Sequence, residues 1–93
     1  EINHPYVSYA YRNAAQISLR FLEYEKTINY LENALLRDTS LLYGSSIYYL
    51  LASTSNLLKD YNKSLKYYEA GVALNEKKHN QEQLLVANHP VFL

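Results

Sequence analysis

Ninety-three residues with nine basic and nine acidic side chains suit one small domain, and this neutral balance is a poor electrostatic footprint for nucleic acid. The absence of cysteine excludes a disulfide framework and a thiolate site. Apolar runs stay as short as Leu50-Leu51-Ala52, far below the length of a membrane span, and no signal peptide is visible.

In chain order, the first predicted element is a helix over about 5–21. Asn3-His4-Pro5 precedes it, and Pro5 suits a first helical position because its missing N–H is not needed there and its φ is preset. "LEYE" (22–25) breaks the pattern, with Glu23 a weak cap whose charge still suits a helix start. A second helix over about 24–38 follows from the one-sided stripe Tyr24, Ile28, Leu31, Leu35. "RDTSLLYGSS" (37–46) is the next break, with Gly44 read as a C-cap and Ser45 and Ser46 as N-caps. "SIYYLLAS" (46–53) has strand-like composition, but no turn signal follows before Lys59-Asp60, so the run reads as a third helix over about 46–59. Asp60 can cap a fourth helix over about 61–78, whose stripe is Tyr61, Leu65, Tyr68, Val72. Residues 80–87 stay open between an extension of that helix and a connector. Asn88-His89-Pro90 repeats the opening tripeptide. The fold class is all-α.

The helices repeat. "EYEKTINYLENALL" (23–36) lies without gaps over "DYNKSLKYYEAGVA" (60–73), an offset of 37 residues. Tyr24 falls on Tyr61, Thr27 on Ser64, Ile28 on Leu65, Leu31 on Tyr68 and Ala34 on Gly71. Carried backward, the same offset sets Tyr11 on Tyr48, Ala14 on Leu51 and Ala15 on Ala52. Small residues at Thr27/Ser64 and Ala34/Gly71 lie seven apart on one face, where two helices approach closely. The expected core is Tyr11, Ala15, Ile28, Leu31 and Ala34 in the first unit, and Tyr48, Leu51, Ala52, Leu65, Tyr68 and Gly71 in the second.

"KDYNKSLKYYEAGVAL" (59–74) resembles the second helix of a tetratricopeptide repeat, a helix–turn–helix unit of about 34 residues. The departures are Ser64 and Gly71 for alanine, Ser18 and Ser55 where tyrosine is common, and no closing proline. The longer spacing and the His-Pro entry resemble the kinesin-light-chain type. "YLENAL" (30–35), "YG" (43–44) and "YYLLAS" (48–53), within a likeness spanning most of the chain, resemble the repeat region of the clustered mitochondria (CLU) family. The resemblance implies an α-solenoid fragment of antiparallel helix pairs: repeat 1 over 1–41, repeat 2 over 42–79, and a connector with the start of a third repeat over 80–93. His-Pro opens the first unit and the third, while Leu41-Leu42 stands at the second. A first residue other than Met and the ending Val91-Phe92-Leu93 fit a piece of a longer protein. Such units need neighbours for stability, so the isolated segment is expected to melt low or associate.

In this repeat family the first helix of each unit lines the ligand groove. By register, the groove would carry Tyr9, Arg12, Asn13, Gln16 and Arg20, then Tyr49, Ser53 and Asn56. Asn13 matches a backbone-binding asparagine of the family, whereas Leu50 takes its place in the second unit. Arg12 and Arg20 could hold an acidic peptide. His4, His79 and His89 lie in separate junctions without zinc-type spacing, Glu23 and Glu25 have no nucleophile partner, and no Gly-rich phosphate loop exists. No metal, cofactor or catalytic residue is therefore expected, and an enzyme is not the reading. Lys77-Lys78-His79 would complement the dipole at the end of the fourth helix. The expectation is a non-enzymatic protein-interaction scaffold taking protein or peptide ligands, neighbouring repeats or a second copy. Likeness to the CLU family implies a cytoplasmic role in mitochondrial distribution, with the translation initiation complex and mRNA as partners of the parent protein. The alternatives are a repeat surface that binds RNA directly, or a generic peptide-binding or self-association module.

Overall fold

A proline-free stretch between Pro5 and Pro90, with only Gly44 and Gly71 as weak points, permits long helices. The computed structural model describes residues 5–38 and 44–87. Among them are four helices, α1 (Pro5–Arg20), α2 (Tyr24–Leu36), α3 (Gly44–Leu57) and α4 (Tyr61–Ala87), and no strand. Residues 80–87 thus extend α4. His4, the 39–43 junction, His89 and Pro90, with the expected opening of a third unit, lie outside the described residues. Gly44 is the first residue of α3 rather than a C-cap. It starts a helix against a tight neighbour, since a Cβ added there would lie 2.5 Å from Leu74 Cδ2.

Both tight junctions are closed in the same way. Leu22 (φ 61°) and Lys59 (φ 63°) occupy the left-handed region. At the first, the Glu23 N–H bonds the Ser18 carbonyl at 3.0 Å and the Leu22 N–H bonds the Leu19 carbonyl at 2.9 Å. At the second, Asp60 N–H to Ser55 O and Lys59 N–H to Asn56 O are both 2.9 Å. This paired pattern satisfies the last carbonyls of a helix and turns the chain back on itself. The two sites are 37 residues apart, the offset of the aligned sequences. Glycine is the ordinary occupant of such a position, so neither junction announces itself by residue type. Glu23 makes no side-chain cap bond at the start of α2. Asp60 Oδ1 accepts from the Lys63 N–H at 3.4 Å at the start of α4.

Packing follows from the stripes. α2 lies against both α1 and α3, and α4 lies against α3. Ala15, Leu31, Ala34, Ile47 and Leu51 form one buried cluster, with Tyr11, Ile28, Tyr30, Leu35, Tyr48, Leu50 and Tyr67 packed around it. The tyrosines repeat their geometry: the rings of Tyr11 and Tyr30 are 6.4 Å apart at 43°, and those of Tyr48 and Tyr67 are 6.4 Å apart at 37°. Buried hydroxyls join the helices. Ser8 Oγ donates to the Ala34 carbonyl at 2.7 Å, Ser18 Oγ and Thr27 Oγ1 share a 2.7 Å bond, and Ser64 Oγ donates to the Ala52 carbonyl at 2.7 Å. Ser18 therefore joins α1 to α2 through a buried hydrogen bond. Gly71 is needed where it stands, because a Cβ there would lie 2.7 Å from Tyr49 Cε1 and 3.1 Å from Tyr48 Cβ.

Two expected core residues are exposed, and Tyr11, Ile28 and Tyr48 are half-buried. Leu65 is 56% exposed and Tyr68 is 55% exposed, whereas Leu31, the counterpart of Tyr68, is fully buried. The stripe lies on one face of α4, but among the described residues no element covers that face. Ile47, absent from the expected list, is fully buried in the cluster with Leu31.

Candidate functional site

The eight residues expected to line a groove separate into two groups. On α1, the Arg12 guanidinium carbon lies 5.8 Å from the centre of the Tyr9 ring, and Arg12 Nη1 donates to Ser46 Oγ of α3 at 2.9 Å. Arg12 is half-buried, so it links the two helix pairs and is not simply presented to a ligand. Asn13 is half-buried, while Gln16 and Arg20 are exposed. Arg20 is the last residue of α1, where a cation complements the helix dipole.

The second group sits on α3 and opens onto α4. Tyr49, Ser53 and Asn56 line a depression of about 420 Å³ together with Tyr61, Leu65 and Tyr68. The Tyr49 and Tyr68 rings are 5.6 Å apart at 44°, and Asn75 Nδ2 donates to Tyr49 Oη at 3.1 Å. None of the α1 group lines this depression. The structure therefore brings Tyr49, Ser53 and Asn56 together, and joins Tyr9 to Arg12, but gives the two groups different surroundings.

A third surface was not singled out from the sequence. Tyr6, Val7, Ala10, Tyr11, Ala14 and Tyr30 line a depression of about 540 Å³ on the outer side of α1 and α2. The signal was present in Tyr6, Ala10 and Ala14, spaced four apart along one helix face. It is easily passed over because two of the three are alanine.

Burial, and then the 3.0 Å hydrogen bond to Glu32 Oε2 with that carboxylate's charge, push the Tyr67 phenol up to about 12. Tyr67 thereby ties α4 to α2. Lys77, Lys78 and His79 do not terminate α4, which runs on to Ala87 and carries no basic residue in its last turn. The expected dipole role of those three residues is therefore corrected: they sit mid-helix, with His79 Nε2 3.4 Å from Gln83 Nε2. Among the described residues, no group of three or more His, Cys, Asp or Glu is placed to hold a metal ion. No helix of the described residues is long and apolar enough to cross a membrane. No family model matches the chain, and neither a curated protein nor a solved structure matches it.

Proposed function

We propose that this chain is a tetratricopeptide-like segment of a non-enzymatic protein-interaction scaffold. The observation that carries the reading is the recurrence, at one offset of 37 residues, of the left-handed junction, its two backbone hydrogen bonds and the tilted tyrosine pair. Such recurrence is what stacked helix pairs of one kind produce. The finer assignment, to the kinesin-light-chain type and the CLU family, rests on the sequence resemblance alone. With it come a cytoplasmic setting, a role in mitochondrial distribution, and association of the parent protein with the translation initiation complex and mRNA.

The exposed Gln16 and Arg20, beside the half-buried Asn13, are the surface of α1 suited to a peptide. Their amide and guanidinium groups favour an acidic ligand that offers carboxylates and backbone carbonyls. Backbone-resolved NMR titration with an acidic nonapeptide, and separately with a single-stranded RNA oligonucleotide, tests this. Shifts centred on Asn13, Gln16 and Arg20 with the peptide are expected. Salt-dependent binding of the RNA, with shifts at Lys77 and Lys78 and none from the peptide, would replace the scaffold reading with direct RNA binding.

A further inference from the structure

At the offset of 37 residues, the two depressions correspond to the two sides of a contact that this chain already contains. Moving the residues of the outer α1 depression forward by 37 positions turns Val7, Ala10, Tyr11 and Ala14 into Gly44, Ile47, Tyr48 and Leu51. Two of these carry the contact of α3 with the first helix pair: Ile47 and Leu51 are fully buried in the cluster with Ala15, Leu31 and Ala34. Moving the residues of the α3–α4 depression back by 37 turns Ala52, Ser64, Leu65 and Tyr68 into Ala15, Thr27, Ile28 and Leu31. Of these, Ala15 and Leu31 lie in the buried cluster that Ile47 and Leu51 of α3 complete, while Thr27 is buried against Ser18 of α1.

We propose that a second copy of this chain docks head to tail, its α1 covering the open face of α3 and α4 as α3 covers α1 and α2 within one chain. Size supports the fit. On the covered side Leu31 becomes the larger Tyr68, and on the covering side Ile47 and Leu51 become the smaller Ala10 and Ala14. The larger Tyr68 on one side thus offsets part of the volume lost at Ala10 and Ala14 on the other, in the direction that packing requires. In the same register Arg12 and Ser46, bonded at 2.9 Å within the chain, correspond to Tyr49 and to Tyr9 of the second copy. The contact would pair two tyrosines where the internal one pairs a guanidinium with a hydroxyl. Because the two faces differ, the contact is heterologous and open-ended, so chains add one after another. This inference goes beyond the peptide-binding surface of α1, and its failure would leave that surface untouched.

Sedimentation velocity over a concentration series tests it, with Ala10→Lys blocking the covering face and Leu65→Lys blocking the open one. Both positions are exposed, and lysine at each makes the two blocked faces repel. The wild-type chain is expected to grow beyond a dimer with concentration. Each variant alone is expected to associate at least about tenfold more weakly, because a charge would be buried unpaired. A mixture of the two variants is expected to stop at a one-to-one dimer, using one intact face from each. A wild-type chain that stays monomeric up to roughly millimolar concentration leaves the face to another protein and overturns the proposal. Variants that associate like the wild type, or a mixture that stays monomeric, overturn it too. Helical circular dichroism checks that each variant folds, and Ala14→Lys with Tyr61→Lys serves as a second pair should either fail.

Discussion

The first helix pair is closed on its inner side and the second is open at the same positions. Leu31 of α2 is fully buried beneath α3, while its counterpart Tyr68 of α4 is 55% exposed. The backbone of the two pairs is nonetheless alike, down to the left-handed residue at each junction. The difference teaches that the turn and the tyrosine pair are set within one helix pair, whereas burial of the stripe is set by the next. The buried hydroxyls tell the same story. Ser18 meets Thr27 at 2.7 Å in the closed pair, while Ser55 Oγ is buried with no hydrogen-bond partner in the open one, and Ser64 turns to the Ala52 carbonyl instead.

The largest test of that contrast is truncation at the matched positions. Leu31→Ala is expected to cost about 2–5 kcal/mol in urea denaturation, the range for a large core side chain. Tyr68→Ala is expected to cost under about 1 kcal/mol at concentrations where the chain is monomeric. Equal costs would break the comparison. Enlarging the small positions is the next test. Ala34, fully buried, has no room, so Ala34→Leu is expected to cost about 1–3 kcal/mol. Ala52 borders the open depression, so Ala52→Leu is expected to cost less than Ala34→Leu in the same denaturation assay.

The bond between α4 and α2 gives a pH signature. The Tyr67 phenol is raised from 10.0 to about 12, so the folded chain holds that proton where the unfolded chain releases it. Its contribution to stability is full below pH 10 and is lost as pH rises through about 12. Thermal melts are therefore expected to show the wild type losing stability over that window more steeply than Tyr67→Phe. The smallest effects belong to the junctions. Leu22→Gly and Lys59→Gly each relieve a left-handed residue at the cost of some chain entropy, a net gain of roughly 0.5–1 kcal/mol. Melting temperatures are expected to rise at both sites by similar amounts, and a gain at only one would show that the junctions are not equivalent.

Much of the fold was legible because helix periodicity and the 37-residue offset are properties of order along the chain. The stripes through Ile28 and Leu31 and the small positions Ala34 and Gly71 predicted which faces pack. Element ends were legible where a residue type forces them, as at Pro5, and less so at Leu22 and Lys59, whose left-handed backbone needs no particular side chain when tertiary packing enforces it. The residues expected to line a groove lie on α1 and α3, and Arg12 among them reaches Ser46 on another helix, a relation between residues 34 apart that no local pattern carries.

By itself the sequence determined an all-helical chain of four elements and the equivalence of its two halves, because both follow from spacing and small-residue placement. The tertiary structure alone decided which copy of the stripe is covered. Burial depends on whether another helix lies against a face, and the same apolar spacing serves Leu31 in the core and Tyr68 at the surface. It also decided that residues 80–87 continue α4, so that Lys77, Lys78 and His79 stand within a helix and not at its end.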